Sequence, residues 1–183
     1  MSSIAGTALT TWEEFLRLDD EEENGTHLEL HDGEVVLVPP DKPFHVYRQV
    51  LLVRWLTVAA RGRGTGIPEY PYRPAANLQY WRADVAYVPN ADLEAMQTDE
   101  YYVYSPPLII EILSPSNRRL KIERQRLAAF SGGTREFWVV DPKSKTIEVF
   151  VLGKPPRVYE VGNSIRVSVL PGASFRVGDL FKD

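Results

Sequence analysis

The chain has no cysteine. Disulfides, thiolate zinc sites and a cysteine nucleophile are therefore excluded, and this usage fits a reducing, cytoplasmic setting. Histidine is scarce: His27, His31 and His45 are the three among 183 residues, and none follows position 45. Ser114 and Ser116 would have to recruit one of those early histidines, which disfavours a Ser-His-Asp arrangement. No apolar run approaches the roughly 20 residues that span a bilayer. The segment Met1 to Gly6 also has neither the basic start nor the apolar stretch of a signal peptide, so no membrane contact is expected. Positive charge is not in excess either, with 21 Lys and Arg against 25 Asp and Glu. That balance argues against coating nucleic acid through overall charge, but leaves room for a locally basic groove.

What is present is a globular composition, 44% hydrophobic and 25% charged. A chain of this length fits one domain, burying roughly 70% of its unfolded surface. Thr11-Trp12-Glu13-Glu14 reads as a capping box opening a helix over 12–18. The acidic run Asp19 to Glu23 reads as a solvated loop. His27–His31 and Glu34–Val38 flank Asp32-Gly33 and form a predicted hairpin. Apolar residues from Phe44 to Ala60 recur at near-helical spacing, with Gly62 and Gly64 as the stop. Short strands are predicted over 77–80 and 84–88, followed by a polar loop with at most one helical turn. Leu108–Leu113 is an apolar run bounded by Pro106-Pro107 and Ser114-Pro115, the pattern of a central buried strand. A second long helix over 118–130, strands over 136–141, 146–151, 157–160 and 165–169, and an Asp179-Leu180-Phe181 tail complete the reading. The expected class is α/β with a central mixed sheet flanked by helices.

Two carboxylates stand out, because each interrupts an apolar strand: Asp84 in 83–88 and Glu111 in 108–113. Taking an ionised carboxylate out of water costs several kcal/mol or more unless a cation or donors offset it. Hard divalent cations take one or two carboxylates together with water and phosphate oxygens. If the two strands are neighbours, a metal between Asp84 and Glu111 could also take the main-chain carbonyl of Ile112. The alternative is structural: an Asp bonded to backbone and a Glu paired with an arginine such as Arg118. Directly after Glu111 comes a basic run, Arg118 to Arg126, with five basic residues against one acid. Arg118, Arg119, Arg124 and Arg126 could contact a nucleic-acid backbone or form a solvated face. The four tryptophans read as core or subunit contacts rather than stacking platforms, Trp138 above all.

The strand aspartate, then Glu111-Ile-Leu-Ser-Pro-Ser-Asn-Arg118, then a basic helix, then Glu136-Phe-Trp-Val-Val-Asp-Pro142, together resemble the putative restriction endonuclease family of the PD-(D/E)xK nuclease superfamily. Leu28 to Glu34 is similar to that family's early Glu-Leu-x-x-Gly hairpin, and His45 to the histidine opening its first long helix. The resemblance covers roughly residues 10 to 170. It implies a restriction endonuclease-like domain over 1–183 with its core at about 42–151, an α-β-β-β-α-β order, and Mg²⁺- or Mn²⁺-dependent hydrolysis of DNA phosphodiester bonds. It also implies Asp84 as the strand aspartate and Glu111 as the acid of the (D/E)xK element. Glu29 could be a third metal acid or an ion-paired carboxylate, and His45 a phosphate donor or a structural residue.

Three positions depart from the pattern in a way that bears on activity. Leu113 stands where the superfamily's lysine would share a face with Glu111. Where the family often places an Asp-x-x-x-Lys pattern on the next helix, this chain has Lys121 and Gln125, one turn apart. Lys121 could take the missing lysine's place, with Gln125 positioning water or a phosphate oxygen. The alternative is a catalytically impaired nucleic-acid-binding or assembly module on the same fold. Because cutting both strands of a duplex suits a two-fold assembly, a homodimer or higher homo-oligomer is expected.

Overall fold

The computed structural model describes residues 9–19, 27–98, 101–114 and 119–182. Arg118 and most of the acidic run after Leu18 lie outside these residues. Helix α1 (Trp12–Asp19) opens as its capping box dictates: Thr11 N–H donates to Glu14 Oε2 at 2.8 Å, and Glu14 N–H to Thr11 Oγ1 at 3.2 Å. Strands β1 (His27–His31) and β2 (Glu34–Val38) form the hairpin, with Asp32 and Gly33 both at positive φ, as a two-residue turn of this type requires.

Helix α2 (Pro43–Ala60) is followed by β3 (Gly64–Tyr72), β4 (Gln79–Pro89) and the short α3 (Asn90–Ala95). Then come β5 (Leu108–Ile112), α4 (Arg119–Ser131), β6 (Glu136–Asp141), β7 (Thr146–Val151) and β8 (Arg157–Glu160). A small β9 (Ser164–Arg166) and β10 (Ser174–Arg176) ribbon and a 3₁₀ turn (Val177–Leu180) close the described chain. The strands run β2-β1-β4-β5-β6-β7-β8, with β3 also paired to β4. The β5–β6 pair is parallel and its neighbours antiparallel, so the sheet is mixed as expected.

The sequence expectation misses β3 and splits β4 in two. Strand β3 reads Gly-Thr-Gly-Ile-Pro-Glu-Tyr-Pro-Tyr, whose glycines and prolines resemble a loop, but it packs on one side of β4 along its length. Its glycines have a packing reason. A Cβ on Gly66 would come within 2.9 Å of the Val53 backbone of α2, so the helix lies almost directly on this strand. The inner stripe of α2 is polar at one end and apolar at the other: His45, Arg48 and Gln49, then Leu52, Leu56 and Ala60, all buried. Leu52 and Leu56 pack with Ile110, Ile112 and Trp138 on one side of the sheet, while Ile122 and Ala129 of α4 pack with Ile109 and Phe137 on the other.

Along β4 the in-out alternation slips at Asp84. Trp81 and Ala83 belong to the α4 side, and so do Ala86 and Val88, whereas Val85 and Tyr87 face α2. In the register of β3 with β4, Pro68 pairs Val85 and Tyr70 pairs Ala83, which sets Glu69 against Asp84. Glu69 has φ +48°, a left-handed conformation that a side chain of this kind adopts at a cost of about 1–3 kcal/mol. The two strands are thus wrinkled together at one point.

Candidate active site

Strand β1 pairs β4 at Leu30–Tyr80 and His31–Gln79, and β5 pairs the same edge at residues 85–87. Between them β4 has a stretch of edge without a strand partner, and two glutamates take up its amides. Glu29 Oε1 accepts from Arg82 N–H at 3.2 Å, and Glu111 Oε1 from Asp84 N–H at 3.3 Å. The carboxylates substitute for ladder acceptors at the point where β1 and β5 diverge. They line a cavity of about 130 Å³ together with Asp84, Asp41, Glu69 and Lys121.

Asp84 and Glu111 approach this gap from opposite faces of the sheet. Asp84 turns toward α2, with Oδ1 3.2 Å from His45 Nε2, while its Oδ2 accepts from Ile112 N–H at 2.6 Å. Glu111 turns toward α4, where Gln125 Nε2 donates to Oε1 at 2.8 Å. Because the amide and carbonyl of one strand residue share an edge, the Ile112 carbonyl is also on the Asp84 side of β5.

The polar end of α2 brings a further acid. Asp41, in the turn after Pro39-Pro40, has Oδ2 3.6 Å from His45 Nε2. Asp41, His45 and Asp84 each present a ligand atom within 4.8 Å of the others. His45 is 7% exposed, and its Nε2, though close to both carboxylates, makes no aligned hydrogen bond to either. An imidazole nitrogen between two carboxylates is, when neutral, a donor set that fits a divalent cation, as does the oxygen-rich remainder.

The protonation preferences report uncompensated negative charge. Burial pushes the Asp84 carboxyl up despite the opposing pull of His45 and of the Ile112 amide. Burial and the neighbouring Asp84 push Glu111 well above the carboxylate range, against Lys121. Burial, with Asp84 and Asp41, raises Glu69 to about 7, although Gln49 donates a hydrogen bond to it. Burial works to lower the His45 imidazole, but Asp84, Asp41 and Glu69 outweigh it and raise the pKa. Such a cluster of shifted groups in one cleft makes it the candidate functional site.

Residues 12–178 match the family model Uma2, described as "Putative restriction endonuclease". The chain belongs to the Uma2 family. It is also similar to a solved structure described as a "putative nuclease belonging to DUF820" from Anabaena variabilis. The two are 21% identical with a TM-score of 0.79, over 93% of this chain and 97% of that one, which shows a shared fold. No curated protein matches the chain.

In this Uma2 chain the other expected site residues are placed as follows. Lys121 reaches the cavity, but its Nζ is 2.8 Å from Glu29 Oε2. Glu29, 2% exposed, also meets His31 Nε2 at 2.7 Å through the same Oε2, and its Oε1 takes the Arg82 amide, so both its oxygens are engaged. Burial would raise Glu29, but His31 and Lys121 lower it, the mark of an ion-paired carboxylate. Gln125 is 1% exposed and donates to Glu111 and to the Arg82 carbonyl at 3.2 Å. It braces the acid and the strand instead of facing open space. Arg124 is exposed, and Arg119 lines a separate groove with Leu113 and Asp141 on the α4 side. Arg118 lies outside the described residues. Sequence reasoning missed Asp41 and Glu69. The signal for Asp41 was weak, four residues before His45, and Glu69 was hidden in the unrecognised β3.

Proposed function

We propose that this Uma2 protein is a divalent-cation-dependent endonuclease that hydrolyses DNA phosphodiester bonds. The observation that carries the reading is the convergence of Asp41, His45 and Asp84, each offering a ligand atom within 4.8 Å of the others, with Glu69 and Glu111 flanking Asp84 across the sheet. Asp84 would be the shared ligand, with Asp41 and His45 from the α2 side and Glu111 and the Ile112 carbonyl from β5 available to hold the cation. Glu29 acts through Lys121. A bound cation would offset the clustered charge, lower the pKa of a water and stabilise charge developing on the attacked phosphate. The imidazole in the set favours Mn²⁺ alongside Mg²⁺.

The chain's own residues supply the remainder. Lys121, oriented by Glu29, lines the same cavity as Glu111 and would take the role the superfamily's lysine plays. Gln125 fixes the Glu111 carboxylate, and Arg119 and Arg124, with Arg118, offer charge to the more distant DNA backbone. A homodimer would present two such centres to the two strands of a duplex. A non-catalytic binding or assembly module is the second reading. The engagement of Lys121 by Glu29, with Leu113 and Gln125 at the lysine positions, favours it. Plasmid DNA incubated with the purified protein and Mg²⁺ or Mn²⁺ separates the two: turnover lost in Glu111→Ala supports the nuclease, and identical null results for both proteins over a range of salt would remove it.

A further inference from the structure

A groove of about 400 Å³ adjoins the acidic cavity, sharing Asp41 with it, and lies at the N-terminus of α2. Its walls are largely apolar, formed by Pro39, Pro40, Phe44, Leu113 and Pro142, and its polar groups are Asp41, Lys42, His45, Arg48 and Ser114. Arg48 is the unusual member. It is 8% exposed and pairs with no carboxylate among the described residues, although a buried guanidinium ordinarily requires one. Its Nη1 donates to the Phe44 carbonyl at 3.4 Å, its plane lies 3.9 Å from the Phe44 ring centroid, and its Nε has no hydrogen-bond partner. Phe44 itself is 63% exposed, with Tyr47 stacked beside it at 6.3 Å. Lys42, the N-cap of α2, makes no side-chain cap, so the helix presents the positive end of its dipole to the same space.

An unpaired buried cation, a helix N-terminus and a solvent-facing aromatic ring around one apolar slot match one kind of occupant: a phosphodiester with its sugar and base. We infer that this groove seats the nucleotide next to the bond that is cut, with Arg48 on its phosphate and Phe44 under its base. The inference rests on the nuclease reading and adds a substrate-positioning residue to it. The geometry suits the task, because Arg48 and His45 line the same groove and His45 Nε2 lies 3.2 Å from Asp84 Oδ1. Asp41, also in the groove, is repulsive to a phosphate until a cation is held beside it.

The test is fluorescence anisotropy of a labelled duplex oligonucleotide with the full chain in Ca²⁺, over a salt series, for wild type, Arg48→Gln, Arg48→Lys, Phe44→Ala and Asp84→Asn. Arg48→Gln should weaken binding about tenfold and reduce the slope of log affinity against log salt by about one, the value for one lost phosphate contact. Arg48→Lys should keep that slope. Phe44→Ala, a surface change, should weaken binding a few-fold with the slope intact. Unchanged affinity and slope in Arg48→Gln, or, if that variant does not fold, unchanged affinity in Phe44→Ala, overturns the inference. Mn²⁺ cleavage in parallel separates the two readings. Binding that depends on Arg48 without any turnover removes the nuclease alone, and turnover that depends on Asp84 but is indifferent to Arg48 removes the groove alone.

Discussion

Lys121 Nζ lies 2.8 Å from Glu29 Oε2, tying the helix after Glu111 to the first hairpin across the acidic cavity. The pair holds a lysine of α4 at the cavity that Glu111 also lines. Glu29 is buried and bonds the Arg82 amide as well, so it fixes both the lysine and the strand edge.

Glu29→Ala should therefore cost about 3 kcal/mol of folding stability, since it strands Lys121 and removes an acceptor from the Arg82 amide. Lys121→Met should cost less, because Glu29 keeps His31. Urea unfolding of the two single variants and the double variant measures their coupling. A coupling near zero would show that the contact does not hold the two elements together.

Gln125→Leu should destabilise by about 1–3 kcal/mol through the loss of the donor to Glu111 and to the Arg82 carbonyl. Gln125→Lys is expected to behave differently. It keeps a donor at Glu111 and restores a cation beside the acid, so metal-dependent cleavage should be retained or increased. Cleavage rates for the two variants at equal metal concentration check this, and loss of turnover in Gln125→Lys would argue that the amide itself is required.

Glu69 gives a pH dependence to the metal-free protein. Its folded pKa is raised to about 7 from an ordinary value near 4.5, so between those limits the native state holds a proton that the unfolded chain has released. Stability from this group is present at low pH and is lost as pH rises toward 7. Asp84 and Glu111 are shifted in the same direction. Denaturant unfolding in EDTA at pH 5 and pH 8 should show a smaller loss for Glu69→Gln than for wild type. Equal losses would mean that Glu69 is not protonated in the native state.

Gly66→Val tests how the fold positions His45. The added side chain has to enter space already occupied by the Val53 backbone, an overpacking worth about 1–3 kcal/mol. The displacement falls on α2, so divalent-metal affinity should drop along with the melting temperature. Unaltered metal affinity in a destabilised Gly66→Val would place the cation elsewhere.

The hairpin β1–β2 and strands β6, β7 and β8 were legible because turn residues and alternation agree there. The juxtaposition of β4 and β5 could be anticipated from two carboxylates in apolar runs. Strand β3 could not, because its glycines serve the close approach of α2 and its prolines flank a wrinkle that no local pattern announces. For the same reason Glu69 was invisible: what puts it against Asp84 is a positive φ and the pairing with β4. Asp41 depends on the direction of a turn after two prolines. The opposite-face approach of Asp84 and Glu111 follows from the slipped alternation, a tertiary effect of the paired strands.

One divalent cation bound at Asp84 is what the proposed chemistry requires. Anomalous difference density from crystals grown with Mn²⁺ is the direct measurement. The expected result is a peak bounded by Asp84, His45 and Asp41, on the side of the cavity open to Glu111. Saturating Mn²⁺ with no peak within ligand distance of Asp84 would contradict it.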